Sequence, residues 1–168
     1  MRKRLLLAVL AAVLCLGSGL ALGQMGEGAV LPGAAPPGPD LEKDILHLNT
    51  IGAFSAGFVL QAYGYIGVLA DVLSKQVYPP DLVRTMLGET ITYMRNINAH
   101  LLKYNTGPPI APGDLEFIAA ITEIINYLIA EAEALSAFTE TKSDSELRRY
   151  DEARNNAWKT IRKTFKVK

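Results

Sequence analysis

Between Ile51 and Ala70 the chain reads IGAFSAGFVLQAYGYIGVLA, twenty residues without one charged side chain. A helix of that length crosses the ~30 Å hydrocarbon of a bilayer, and it equally suits the buried middle of a water-soluble fold. Either way, a helix apolar on more than one side needs cover other than water. Three details favour cover by the chain itself. Tyr63 and Tyr65 sit well inside the segment, whereas a spanning helix keeps its aromatic belt at the two ends. Gln61 stands at the centre, and no cluster of Lys or Arg flanks either end. The expectation is a core helix wrapped on most sides, with a membrane span as the competing reading.

Periodicity and punctuation supply the helices that would wrap it. One apolar seam, Leu41, Ile45, Leu48, Val59, Ala62, Ile66, Leu69 and Leu73, advances in steps of three and four for most of its length. A second holds Ile51, Phe54, Phe58, Gln61, Tyr65, Val68 and Val72. Together they predict a first helix over 40–78, closed by Pro79-Pro80, which disfavours helical backbone just before it. Val83, Leu87, Met94, Ile97 and Leu101 predict a second over 81–105, stopped by Asn105-Thr106-Gly107-Pro108-Pro109. Ile118, Ile121, Ile125, Leu128, Ala132 and Leu135, flanked by Phe117, Ile124 and Phe138, predict a third over 114–140. Ser143-x-x-Glu146 reads as a capping box opening a fourth over 144–166, with Leu147, Tyr150, Ala157, Trp158, Ile161 and Phe165 as its apolar face. No alternating strand pattern interrupts them. Short links between long helices favour antiparallel neighbours, so the predicted fold is all-α, an up-down-up-down four-helix bundle over 40–168. The first helix, longest of the four, is expected to kink or overhang at its glycines. The third is acidic, with six acids and no base from Asp114 to Glu140, and the fourth is basic, so the two are expected side by side.

Ahead of the bundle the chain has other work. MRKR followed by LLLAVLAAVLCLG and then Ala21-Leu22-Gly23 has the form of a secretory signal peptide over 1–23, cut before Gln24 or after Ala21. Four Gly and four Pro among residues 24–39 predict a flexible tether. Cleavage would remove Cys15 and three of the seventeen basic residues, leaving a cysteine-free mature chain of net charge −3. That balance gives no reason to expect nucleic acid as a partner. Export places the mature protein in the periplasm or outside the cell, with membrane association as an added expectation.

Chemistry is mostly missing. No G-x-S-x-G, H-E-x-x-H, phosphate-binding loop or dinucleotide glycine set occurs, and no enzyme is predicted. A di-iron centre needs two Glu-x-x-His units; the chain offers a single Asp44-x-x-His47. Copper held by Met86, Met94, His47 and His100 defines a metal-carrier alternative, but those residues do not cluster in sequence, and no cofactor or metal ligand is assigned. Glu89, Glu123 and Glu131 lie off the apolar seams and read as solvated.

Two features point to binding. Phe54, Phe58, Gln61 and Tyr65 form a row at helical spacing which, with Tyr93 and Tyr104, is either plain core or the wall of an apolar ligand pocket. As core, Gln61 would need a partner such as a tyrosine hydroxyl. The tail WKTIRKTFKVK sets Lys159, Arg162, Lys163 and Lys166 around an apolar edge of Trp158, Ile161 and Phe165, a pattern that suits an anionic membrane surface. The leading expectation is a non-enzymatic interaction or scaffolding module of the cell envelope, with a protein partner or its own copies. The alternative is a module binding an apolar ligand or anionic lipid.

Overall fold

The computed structural model describes residues 39–105 and 112–167. They form four α-helices: α1 (Pro39–Ser74), α2 (Pro80–Asn105), α3 (Pro112–Thr141) and α4 (Asp144–Phe165). No strand occurs among the described residues. The segments expected as an export signal, with Cys15, and as a Pro/Gly tether up to Gly38 lie outside the described residues, as do the side chains of His47 and Tyr104.

The α1 boundary differs from the sequence reading for a local reason. The helix stops at Ser74 because Gln76 turns into the left-handed region at φ 54. There the Val77 amide donates to the Val72 carbonyl and the Gln76 amide to that of Leu73. These two bonds are a Schellman ending built without glycine, so the sequence carries no glycine to announce it. Lys142, at φ 51, makes a similar bend between α3 and α4. Side chains with a Cβ pay roughly 1 kcal/mol for such a conformation. Gln76→Gly and Lys142→Gly are each expected to raise the unfolding free energy by about 1 kcal/mol, read from chemical denaturation.

The capping box forms by half. Ser143 Oγ accepts from the Ser145 amide at 3.2 Å, but the Glu146 carboxylate pairs with Arg149 at 2.7 Å. The Ser143 amide is satisfied instead by Thr141 Oγ1.

One core joins the helices. α1 contributes Val59, Ala62, Ile66, Leu69 and Leu73, α2 Val83, Leu87 and Met94, α3 Ile121, Ile124, Ile125 and Leu128, and α4 Tyr150, Ala157 and Ile161. Each large aliphatic side chain fully buried there contributes roughly 1.5–3 kcal/mol. α3 touches all three other helices, while α2 and α4 do not meet among the described residues. The arrangement is that of a four-helix bundle.

The expected neighbours α3 and α4 do lie side by side. Two of the six acids of α3 reach α2 instead: Glu140 binds Arg84 and Glu133 binds Arg95, with Asn98 donating to Asn126 at 2.8 Å on the same seam. Only Glu131 links α3 to α4 by an ion pair among the described residues. One expectation fails: α1 is not wrapped on most sides. Its first seam is buried from Val59 onward, but in the second Phe54, Gln61, Tyr65 and Val68 are exposed. Three helices cover one face of a cylinder, and here none reaches round the other. Asn49–Ser74 is long and apolar enough to cross a membrane, and it is the one such helix among the described residues.

Candidate functional site

The first notable cluster is buried and polar. Glu131 of α3 is 0% exposed, and its Oε1 accepts from Arg154 Nη1 of α4 at 2.6 Å. The same guanidinium lies over the Tyr63 ring of α1, 4.0 Å from its centroid, and Nη1 also donates to the Tyr63 carbonyl at 3.3 Å. Trp158 stacks on the other partner in this column, its ring 5.3 Å from that of Tyr63. Glu131 Oε2 is buried with no hydrogen-bond partner. One arginine therefore ties three helices, and half the carboxylate it holds is unsatisfied.

Gly67 makes room for this. A Cβ there would stand 2.7 Å from Arg154 Nη2 and 3.1 Å from Nη1. Alanine normally improves a helix by about 1 kcal/mol over glycine. Displacing the guanidinium weakens a charge-assisted bond worth roughly 1.5–3 kcal/mol. Gly67→Ala is thus expected to lower stability by about 1 kcal/mol net. Gly57→Ala, with nothing within 4 Å of the added methyl, should raise the stability of the monomer in the same thermal melts.

Electrostatics follow from burial. Desolvation lifts the Glu131 carboxyl to about 7, despite the hydrogen bond and charge of Arg154, which pull the other way. Burial pushes the Tyr150 hydroxyl up to about 12, and raises Tyr63 as well. For Arg154, burial opposes the charge, but the bond to Glu131 and its carboxylate outweigh that, and the net shift is upward. Glu131 was expected in solvent; it is instead the buried centre of the ion-pair cluster. Glu89 and Glu123 are exposed. A buried acid with a shifted pKa marks many active sites. Here the acid binds Arg154, and through that arginine the contact joins α3 to α4 and to the Tyr63 carbonyl of α1.

The second feature is the outer face of α1. Phe54 is 76% exposed and Leu46 68%, and Gln61, Tyr65 and Val68 are exposed on the same side. Phe58 is half-buried and meets Tyr93 of α2 edge-on, ring centroids 5.6 Å apart, with Tyr93 itself 59% exposed. The expected row Phe54, Phe58, Gln61, Tyr65 and Tyr93 is thus assembled along α1 and its border with α2, on the open surface. Neither a buried core nor an enclosing wall results, and the Gln61 side chain is exposed. Beside Phe54, Asn49, Thr50 and Ala53 border a shallow hollow.

The C-terminal helix divides its expected roles. Lys159, Arg162, Lys163 and Lys166 are exposed, as a contact with anions requires. Trp158 is half-buried on Tyr63, Ile161 is fully buried, and Phe165 packs edge-on against Phe117 at 6.3 Å. The apolar edge that would enter a membrane is occupied by the bundle. For the copper reading, Met94 is fully buried and Met86 half-buried against the core, whereas His100 is exposed. Among the described residues no three His, Cys, Asp or Glu side chains gather as a metal site.

A cleft of about 420 Å³ opens where the C-terminal ends of α1 and α3 meet the start of α4, lined by residues including Leu73, Leu135, Phe138, Leu147 and Tyr150. The Lys142 ammonium sits at its edge, 5.4 Å from the centroid of the Phe138 ring. No family profile matches the chain, and neither a curated protein nor a solved structure matches it.

Proposed function

We propose that this chain is an exported, non-enzymatic helical bundle of the cell envelope, and that the outer face of α1 is the surface it presents to a protein partner. The observation that carries this is the uncharged stretch itself: a segment that apolar is open to water on one full side, with Phe54, Tyr65 and Val68 exposed along it. Monomers rarely leave a long contiguous apolar strip uncovered unless something binds there. In this reading residues 1–23 are a cleaved signal and 24–39 a tether long enough to hold the bundle away from a surface.

An up-down-up-down order supports an exposed α1, since neighbours then lie antiparallel with only short links. Cross-helix pairs agree with that order. Tyr63 meets Trp158 while Gly67 meets Arg154, and Phe117 meets Phe165 while Glu131 meets Arg154. Arg84 meets Glu140 while Asn98 meets Asn126. In each pair of helices one number rises as the other falls.

A photo-crosslinking amino acid placed at Phe54 tests the reading in living cells, with Glu152 on α4 as the exposed control. Adducts from position 54 and none from 152, in an extracytoplasmic fraction, are expected. Adducts from neither position, or a chain retained in the cytoplasm, would end it. A second reading, a module for a small apolar anion, is favoured by the cleft beside Lys142; loss of such binding in Lys142→Ala would identify it.

A further inference from the structure

We propose that the occupant of the α1 face is a second copy of this chain, crossing antiparallel to the first about a two-fold axis at Gln61. This rests on the reading of that face as an interaction surface and names what covers it. A symmetric dimer pairs each residue i with a residue j and the reverse, so its surface must be self-complementary. The face meets that condition. Phe54 and Val68 stand seven residues before and after Gln61, and both are exposed. Phe54 of one copy therefore lies opposite Val68 of the other.

Charge agrees. From Leu48 to Ala70 the helix carries no acidic or basic side chain, so two identical faces meet without like-charge repulsion. Area agrees as well. Phe54, Leu46, Tyr93, Val68 and Tyr65 together leave on the order of 500 Å² uncovered, taking about 200 Å² for a whole aromatic side chain. With Thr50, Gln61 and the backbone between them, this approaches the ~800 Å² per partner of an ordinary stable interface.

Gln61 decides between a second copy and lipid. In hydrocarbon its amide would have no partner. At a two-fold axis the two amides face each other, each donating from Nε2 to the other's Oε1, and a single polar pair of this kind sets the register.

Gly57 and Gly64 provide clean probes, because a Cβ at either meets nothing within 4 Å in one copy. Analytical ultracentrifugation of the purified chain should give twice the mass of one copy. Gly57→Leu and Gly64→Leu should give single copies with unchanged helical circular dichroism. Gln61→Lys, which sets two cations at the axis, should weaken pairing by about a hundredfold or more. A wild-type chain that stays single, or Gln61→Lys and Gly64→Leu chains that still pair as tightly, would overturn the proposal. If the chain stays single but still crosslinks another protein from position 54, pairing is refuted while the interaction surface stands. If the single chain instead sediments with vesicles, lipid is the occupant.

Discussion

Replacing Arg154 by methionine is expected to remove about 3–5 kcal/mol of stability at pH 8, the range for breaking a buried ion pair from one side. Glu131 is fully enclosed, and its Oε2 already lacks a partner. Without the guanidinium the carboxylate must either remain charged in a low-dielectric site or take up a proton. Protonation caps the loss, and it becomes easier by ~1.4 kcal/mol for each unit the pH falls. At pH 5 the same variant should therefore lose far less. The double variant Glu131→Leu, Arg154→Met is expected to recover most of the loss, because replacing both partners with apolar groups is often neutral or better. Urea denaturation of the three chains at both pH values measures this. A single-variant loss no larger than the ~0.2–1 kcal/mol of an exposed pair would show that the cluster is not sealed from water.

Between pH 4.5 and 7 the folded chain should become less stable as the pH rises. Unfolded, the Glu131 carboxyl releases its proton near its ordinary value of 4.5; folded, burial holds it to about 7. Across that window the folded state binds the extra proton, so raising the pH drains stability, by roughly 3 kcal/mol in all. The groups facing Glu131 are Arg154 and Tyr150 from α4 and Tyr63 from α1. Arginine stays cationic there, and both tyrosines, raised further by burial, stay neutral. Other carboxylates titrate in the same range, so the difference between wild type and Glu131→Gln isolates this one. Glu131→Gln keeps a hydrogen-bond acceptor for Arg154 and should gain on wild type progressively toward pH 7. Parallel curves for the two chains would contradict a buried carboxyl at this position.

The buried pair was visible in outline as two gaps in the apolar pattern. Phe117, Ile124 and Phe138 leave a vacancy at 131 in a seven-residue series, and Tyr150, Ala157 and Ile161 leave another at 154. One gap holds an acid and the other a base. Each alone reads as a solvated charge beside a seam, which is the usual position for Glu and Arg. Complementarity across two helices would have flagged them. Gly67 gave no such hint, since a glycine that admits a guanidinium looks like any other in the helix.

What the amino-acid order settled by itself is local: four helical segments, the serine cap before the last of them, and the absence of strands among the described residues. Periodicity and backbone sterics act over a few residues, so they are written in the order of residues directly. Which acid meets which base, where a helix ends without glycine, and which side of α1 stays open were decided only by the tertiary structure. These depend on how far neighbouring helices reach round one another, and apolar periodicity says that a face wants cover without saying what provides it.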